Sequence, residues 1–284
     1  MKVTIGPLLT SSVNGSLLAA RRAGGTTVDC SLDLGRSTTQ VQVDSAEWTF
    51  DGQPYPFLDV CKPRTIYYWT DARFEPIARF ANALIKLIPT QWGVPTFEID
   101  GIKMLATARM SPWIDADRKV RLIQPRGKVI LDTCGGLGYF AACCLAGKSA
   151  HVYSYEKNSD VIWLRSLNPW SPDNLESCTA TTAMTLTNGD ITELISEHAS
   201  DSIDAILHDP PRFGIAGELY SQVFYDQLAR VLKRKSKLFH YTGMPNKLSS
   251  GRDLANEVAT RLCRAGFTAK LCIDGVLAVK IRTV

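Results

Sequence analysis

No apolar run in this sequence approaches the roughly 18–20 residues that cross a bilayer, so no membrane span is expected. There is no Cys-x-x-Cys pair among its 8 cysteines, and the 4 histidines show no metal-ligand spacing. Those absences exclude a compact disulfide framework and the common zinc sites. They leave free thiols in a reducing, cytoplasmic setting, and no metal is expected. Charge of one sign is also scarce. The net +4 permits an anionic partner without demanding one. Lys2 precedes a moderately apolar N-terminal stretch, but Gly6, Pro7, Ser11, Ser12, Asn14 and Gly15 interrupt it, so no secretory leader is expected. Repeats and low-complexity tracts are absent.

What is present is an ordinary globular composition, 45% apolar and 21% charged over 284 residues, enough for one large or two modest domains. The rhythm changes along the chain. Residues 1–115 alternate in short bursts, one of them followed by Asp51-Gly52, and Asp100-Gly101 stands between two apolar-alternating runs as a hairpin turn. Residues 75–88, EPIARFANALIKLI, carry apolar side chains three and four apart behind Pro76, a spacing that predicts a helix. A β-rich N-terminal domain carrying one helix, for accessory or substrate contacts, is the expectation.

Residues 116–284 repeat strand, turn and helix. Strands are expected at 128–133, 150–155, 183–188, 203–208, 236–242, 268–273 and 276–282, with helices notably at 138–147, 217–233 and 251–265. Such alternation makes a parallel, doubly wound α/β sheet. Only Asp274-Gly275 separates the last two strands, so they form a hairpin and the final strand runs antiparallel: six parallel strands plus one.

Ligands of open α/β sheets sit beyond the carboxyl ends of the strands. There the sequence places VILDTCGGLGYFA, in which Gly135, Gly136 and Gly138 follow Asp132 and Cys134 and leave backbone room for a ligand. Glu156 closes the second strand, Asp190 follows the third, and Asp209 ends the fourth in HDPPRF. Four acids around one crevice suit a cationic sulfonium and ammonium better than a pyrophosphate. An acid after the second strand also accepts ribose hydroxyls. With Tyr139, Lys157 and Ile191 beside them, these residues are the expected cofactor-binding set. Asp209 is the first candidate to align or deprotonate an acceptor, with Arg212 and Tyr241 as the other candidate catalytic residues. His208 alternates to the opposite face from Asp209 and reads as core. The basic run LKRKSKLF reads as a solvated turn at a helix end.

The glycine turn and the terminal hairpin resemble class I S-adenosylmethionine-dependent methyltransferases, and the sheet expected above is the Rossmann-like sheet of that class. The resemblance places Asp132 toward the methionine end and the glycines beneath the nucleoside, with S-adenosyl-L-methionine as cofactor and S-adenosyl-L-homocysteine as product. LDTCGGLGYF with DPPRFG is similar to RNA uracil-5-methyltransferases, yet Gly243 stands where those enzymes carry their nucleophilic cysteine, and a glycine cannot attack. SLDLGRSTTQVQV, EIDGIKM, LNPWS and GRDLANEVATRLCRAGF resemble a group of predicted, largely archaeal methyltransferases. ELYSQVFYDQLARVLK is similar to spermidine synthases, which use decarboxylated S-adenosylmethionine.

The resemblance supports fold and cofactor; the expected activity is methyl transfer to nitrogen, oxygen or sulfur of a small, planar or acidic metabolite. An RNA base (tRNA or rRNA), an aminopropyl acceptor and a non-catalytic cofactor-binding regulator are the alternatives. The acceptor atom and the oligomeric state are not legible in the residues.

Overall fold

The computed structural model describes residues 6–105, 107–174, 183–243, 253–272 and 274–281. Of the sequence expectations, residues 251–252 of one helix, and Ile273 and Arg282 at strand ends, lie outside the described residues. The chain divides into two units: Met1–Trp113 with Trp163–Leu175, and Ile114–Ile162 with Glu176–Val284. The first therefore draws one of its pieces from far along the chain.

In the first unit, β1 (Leu8–Leu9) leads into α1 (Ser11–Arg22), whose orphan N–H groups are capped by Thr10 Oγ1 accepting from Val13 N. β2 (Thr27–Cys30), β3 (Thr39–Val43), β4 (Glu47–Phe50) and β5 (Gln53–Pro56) form an antiparallel meander, with Asp51-Gly52 turning β4 into β5. β6 (Tyr67–Trp69) lies between β1 and β7 (Phe74–Pro76). β8 (Ala78–Phe80), β9 (Leu84–Ile88), β10 (Thr96–Ile99) and β11 (Ile102–Lys103) form a third antiparallel sheet, and Asp100-Gly101 turns its last hairpin.

The expected helix over 75–88 is thus wrong, and strands occupy that stretch. Its apolar residues fit either period, and pairing decides: Ile85 faces Ile99 and Leu87 faces Phe97 across β9 and β10, which buries Ile85 and Leu87 on one side. Trp48 is fully buried at the core, its ring 4.7 Å from Tyr55 and 6.0 Å from Phe74. Tyr67 belongs to the same core.

The second unit opens with α2 (Pro112–Ile123), the helix that crosses the boundary, and then builds one seven-stranded sheet. Its strands are β12 (Val129–Asp132), β13 (His151–Glu156), β14 (Met184–Asn188), β15 (Ile203–His208), β16 (Leu232–Tyr241), β17 (Phe267–Cys272) and β18 (Gly275–Lys280). The order is β14-β13-β12-β15-β16-β18-β17, with β18 antiparallel to both neighbours and the other pairs parallel. β12 and β15 are largely apolar because sheets covered on both faces bury both sides of a strand. Helices α3 (Tyr139–Ala146), α4 (Ser159–Ser166), α5 (Ile191–Leu194), α6 (Gln222–Val231) and Leu254–Arg264 fill the crossovers. α4 passes from this unit into the piece of the first that begins at Trp163.

The basic run starts where α6 ends, at Val231, and opens β16; the register breaks between Ile203↔Leu232 and Ala205↔Lys237, and Lys233, Arg234 and Lys235 bulge into solvent.

Candidate functional site

From β12 the chain crosses outward to β13 and β14, then returns to the other side of β12 as β15. The strand order reverses between β12 and β15, and open α/β sheets bind ligands in the crevice outside the carboxyl ends of strands at such a point. The turn leaving β12 runs through that point. Gly136 (φ 50°) and Gly138 (φ 82°) take left-handed backbone, and Gly138 starts α3. Gly135 N donates to Tyr155 O at 2.7 Å, which ties the turn to β13.

The acids surround this turn. Asp132 is fully buried, and Ser154 Oγ donates to its Oδ2 at 2.9 Å. Glu156 takes Gly136 N at 3.0 Å on Oε2 and Asn158 N at 2.8 Å on Oε1, so one carboxylate spans the glycine turn and its own strand end. Asp190 Oδ1 caps α5 through Thr192 N at 2.9 Å, and Lys157 Nζ donates to Oδ2 at 2.7 Å. Burial opposes its ionisation, yet the bonds from Lys157 and Thr192 hold its carboxyl below the usual range. Tyr139 and Ile191 are buried, and Ile191 packs in the main core with Leu131 and Tyr155. The Cys134 thiol is pushed well up by burial and by Glu156, Asp132 and Asp209, against a weak bond from Thr133, so it stays protonated.

Across the crevice, Asp209 follows β15. Burial pushes its carboxyl up to about 6; Lys119 opposes this and Asp115 adds to it. Tyr220 Oη donates to Pro211 O at 3.0 Å and so fastens the Asp-Pro-Pro turn. Tyr241 ends β16, and its phenol is pushed up by burial, Asp209, Asp115 and Asp274, with Arg118 opposing. Arg212 stands exposed on the loop; among the described residues no ion pair joins it to Glu218, and only its carbonyl is engaged, accepting Ile215 N at 2.7 Å.

Two histidines flank this side without entering it. His208 is fully buried, and because Leu219 O, 3.0 Å away, can only accept, Nε2 carries the proton and Nδ1 accepts from Thr133 Oγ1 at 2.7 Å. Burial pushes its pKa down to about 4. His240 packs against it with ring centroids 4.4 Å apart and bonds Tyr225 Oη at 2.9 Å. Both are neutral core imidazoles. Cys263, in contrast, is exposed.

Lys119 is the residue that sequence reasoning missed. It is 3% exposed on α2, with Nζ 2.6 Å from Asp115 Oδ2 and 3.8 Å from the Tyr241 ring centroid. Its signal was a lysine in the apolar stripe of Ala116, Val120 and Ile123, four residues after an acid.

The arrangement holds polar, cation-seeking oxygen on one side of the crevice and a protonatable carboxyl on the other. No family model matches the chain. A spermidine synthase in complex with the transition-state analogue AdoDATO superposes with a TM-score of 0.56 at 14% identity, covering 75% of this chain and 78% of that one. The spermidine synthase from Thermotoga maritima superposes at 0.54 with 15% identity and the same coverage. At that identity the likeness is one of fold. In sequence, the uncharacterized protein MJ1233 of Methanocaldococcus jannaschii is 37% identical over 221 residues, 76% of this chain and 74% of that protein. The chain belongs to the family of that archaeal protein.

Proposed function

We propose that the second unit binds S-adenosylmethionine and transfers its methyl group to nitrogen, oxygen or sulfur of a small acceptor. The observation that carries this reading is the ring of acids at the carboxyl ends of β12, β13 and β15 and after β14, set around a left-handed glycine turn at the switch point of the sheet. The donor set fits the cofactor. Carboxylates accept from ribose hydroxyls, an adenine amine and an α-ammonium, whereas a pyrophosphate would face several negative charges. Gly135, Gly136 and Gly138 would form the floor, Glu156 would take the ribose hydroxyls, Asp190 would face the adenine, and Asp132 would supply negative charge from beneath the turn. When bound, S-adenosylmethionine supplies an electrophilic methyl on a sulfonium.

The remaining chemistry belongs to the chain. Methyl transfer is in-line, so the acceptor must be aligned and its proton given somewhere to go. Asp209, with its carboxyl pushed up to about 6, is mostly ionised at neutral pH and takes a proton readily. Tyr241 stands beside it to orient the acceptor. Cys134 is kept protonated and does not compete as a nucleophile.

Aminopropyl transfer from decarboxylated S-adenosylmethionine is the second reading. The fold likeness to spermidine synthases over 75% of the chain supports it, together with the similarity of residues 218–233. Calorimetry separates the two readings. Tighter binding of S-adenosylmethionine and S-adenosylhomocysteine than of the decarboxylated compound supports methyl transfer, and the reverse order supports aminopropyl transfer. Heat from none of them at millimolar concentration rejects both.

A further inference from the structure

We propose that Lys119 is a positioning residue of this site: its ammonium, gripped by Asp115, braces the face of Tyr241 and balances the charge of Asp209. The assignment of Asp209 and Tyr241 to the acceptor side rests on the reading above; the Lys119 arrangement itself does not.

A lysine 3% exposed has given up nearly all its water, a loss that only close charge and ring partners offset. Both are in place. Asp115 Oδ2 lies at 2.6 Å, one turn earlier on α2, and the Tyr241 ring centroid lies at 3.8 Å, within cation–π range. Phe140 contributes a second ring at 5.7 Å. Asp115 is itself held, because Arg118 Nη2 donates to its Oδ1 at 2.7 Å and to Asp274 Oδ2 at 2.5 Å. Asp274 in turn precedes Gly275, the residue paired with Tyr241 across β16 and β18. The bracing thus runs from α2 to the end of β16 by two routes, one through the ring and one through the hairpin.

The groups that meet Asp209 electrostatically come from every side of this crevice. α2 supplies Lys119 and Asp115, the glycine turn Cys134, the turn Gly217–Tyr220 its Tyr220, and β16 Tyr241. Among them Lys119 is the cation, so its removal leaves Asp209 facing a carboxylate, a thiol and two phenols. A lysine serving only to fasten α2 would leave the titration of Asp209 where it is.

The test follows the carboxyl carbon of Asp209 by 13C NMR titration of the whole chain without cofactor, assigned through Asp209→Asn. In Lys119→Met, close in shape but neutral, the midpoint should rise by about one pH unit, and in Lys119→Arg it should stay. In Asp115→Asn it should fall, because a repelling carboxylate has gone. An unmoved midpoint in Lys119→Met, or shifts of one sign in both neutralising variants, would overturn the proposal. The unaltered protein gives an independent reading. The Lys119 Hε protons should resonate upfield in the ring current of Tyr241, and ordinary lysine shifts there would also overturn it. Absence of cofactor binding by calorimetry would remove the proposed function while leaving this result intact.

Discussion

Glu156 Oε2 accepts the backbone N–H of Gly136 at 3.0 Å, so the acid that closes β13 is tied to the floor of the turn that leaves β12. With the bond from Gly135 N to Tyr155 O, it sets both parts of the proposed nucleoside cradle relative to each other.

Glu156→Gln tests its charge with the shape kept. The amide oxygen can still take Gly136 N, but the NH2 group cannot accept Asn158 N, and the charge-assisted bonds to a ligand's hydroxyls are lost. Affinity for S-adenosylhomocysteine should fall roughly 10- to 100-fold by calorimetry, the loss expected for a hydrogen bond to a charged group. Unchanged affinity would place the nucleoside elsewhere.

Asp209 should make stability depend on pH. Its carboxyl is raised from 3.8 to about 6 in the fold, so the native state holds that proton more tightly than the unfolded chain does. The associated stability is complete below about pH 4 and is lost as pH rises through about 6. Asp209→Asn, which cannot ionise, should therefore gain on the unaltered protein across that window, by on the order of 3 kcal/mol at pH 7. Urea denaturation of both proteins at pH 4, 5, 6 and 7 checks the sign. Methyl transfer by the same variant should drop roughly 100-fold or more.

Gly275 pairs with Tyr241, and a Cβ there would run into the carbonyl oxygen of His240. Backbone cannot rotate aside as a side chain can. Gly275→Ala should cost about 1–3 kcal/mol in denaturant unfolding and weaken acceptor turnover through displacement of the β16 end.

Trp48 anchors the first unit by stacking on Tyr55 and Phe74. Trp48→Ala should cost about 3–5 kcal/mol of stability, read by tryptophan-independent circular dichroism. A smaller loss would mean that the site collapses around the cavity.

A small acceptor predicts turnover that hardly responds to salt. Between about 50 and 200 mM, contacts with six to ten phosphates would instead lose about 10³–10⁵ in affinity. Retention on RNA with that steep response would favour a polynucleotide acceptor.

The seven strands of the second unit were legible because each is a short apolar run closed by a turn signal, and several by an acid; residues 203–208 are the clearest case. The first unit was less so. Residues 75–88 satisfy two periodicities, and only their distant pairing with 96–99 chooses between them. α1 was hidden by its own Ser11, Ser12 and Gly15, which disfavour a helix locally and are overruled by the Thr10 cap and the burial of Leu17. Lys119 could be seen as part of an i,i+4 pair, but its meaning depends on Tyr241, which the sequence holds far away.

The splicing of Trp163–Leu175 into the first unit alters what severing the backbone can achieve. A protease nick near Thr107 would not free an amino-terminal fragment, because Arg36 still donates to Pro169 O at 2.9 Å and Trp170 to Leu34 O at 3.0 Å. Those two clasps reach over the break, so the nicked halves should co-migrate on a sizing column and part only in denaturant.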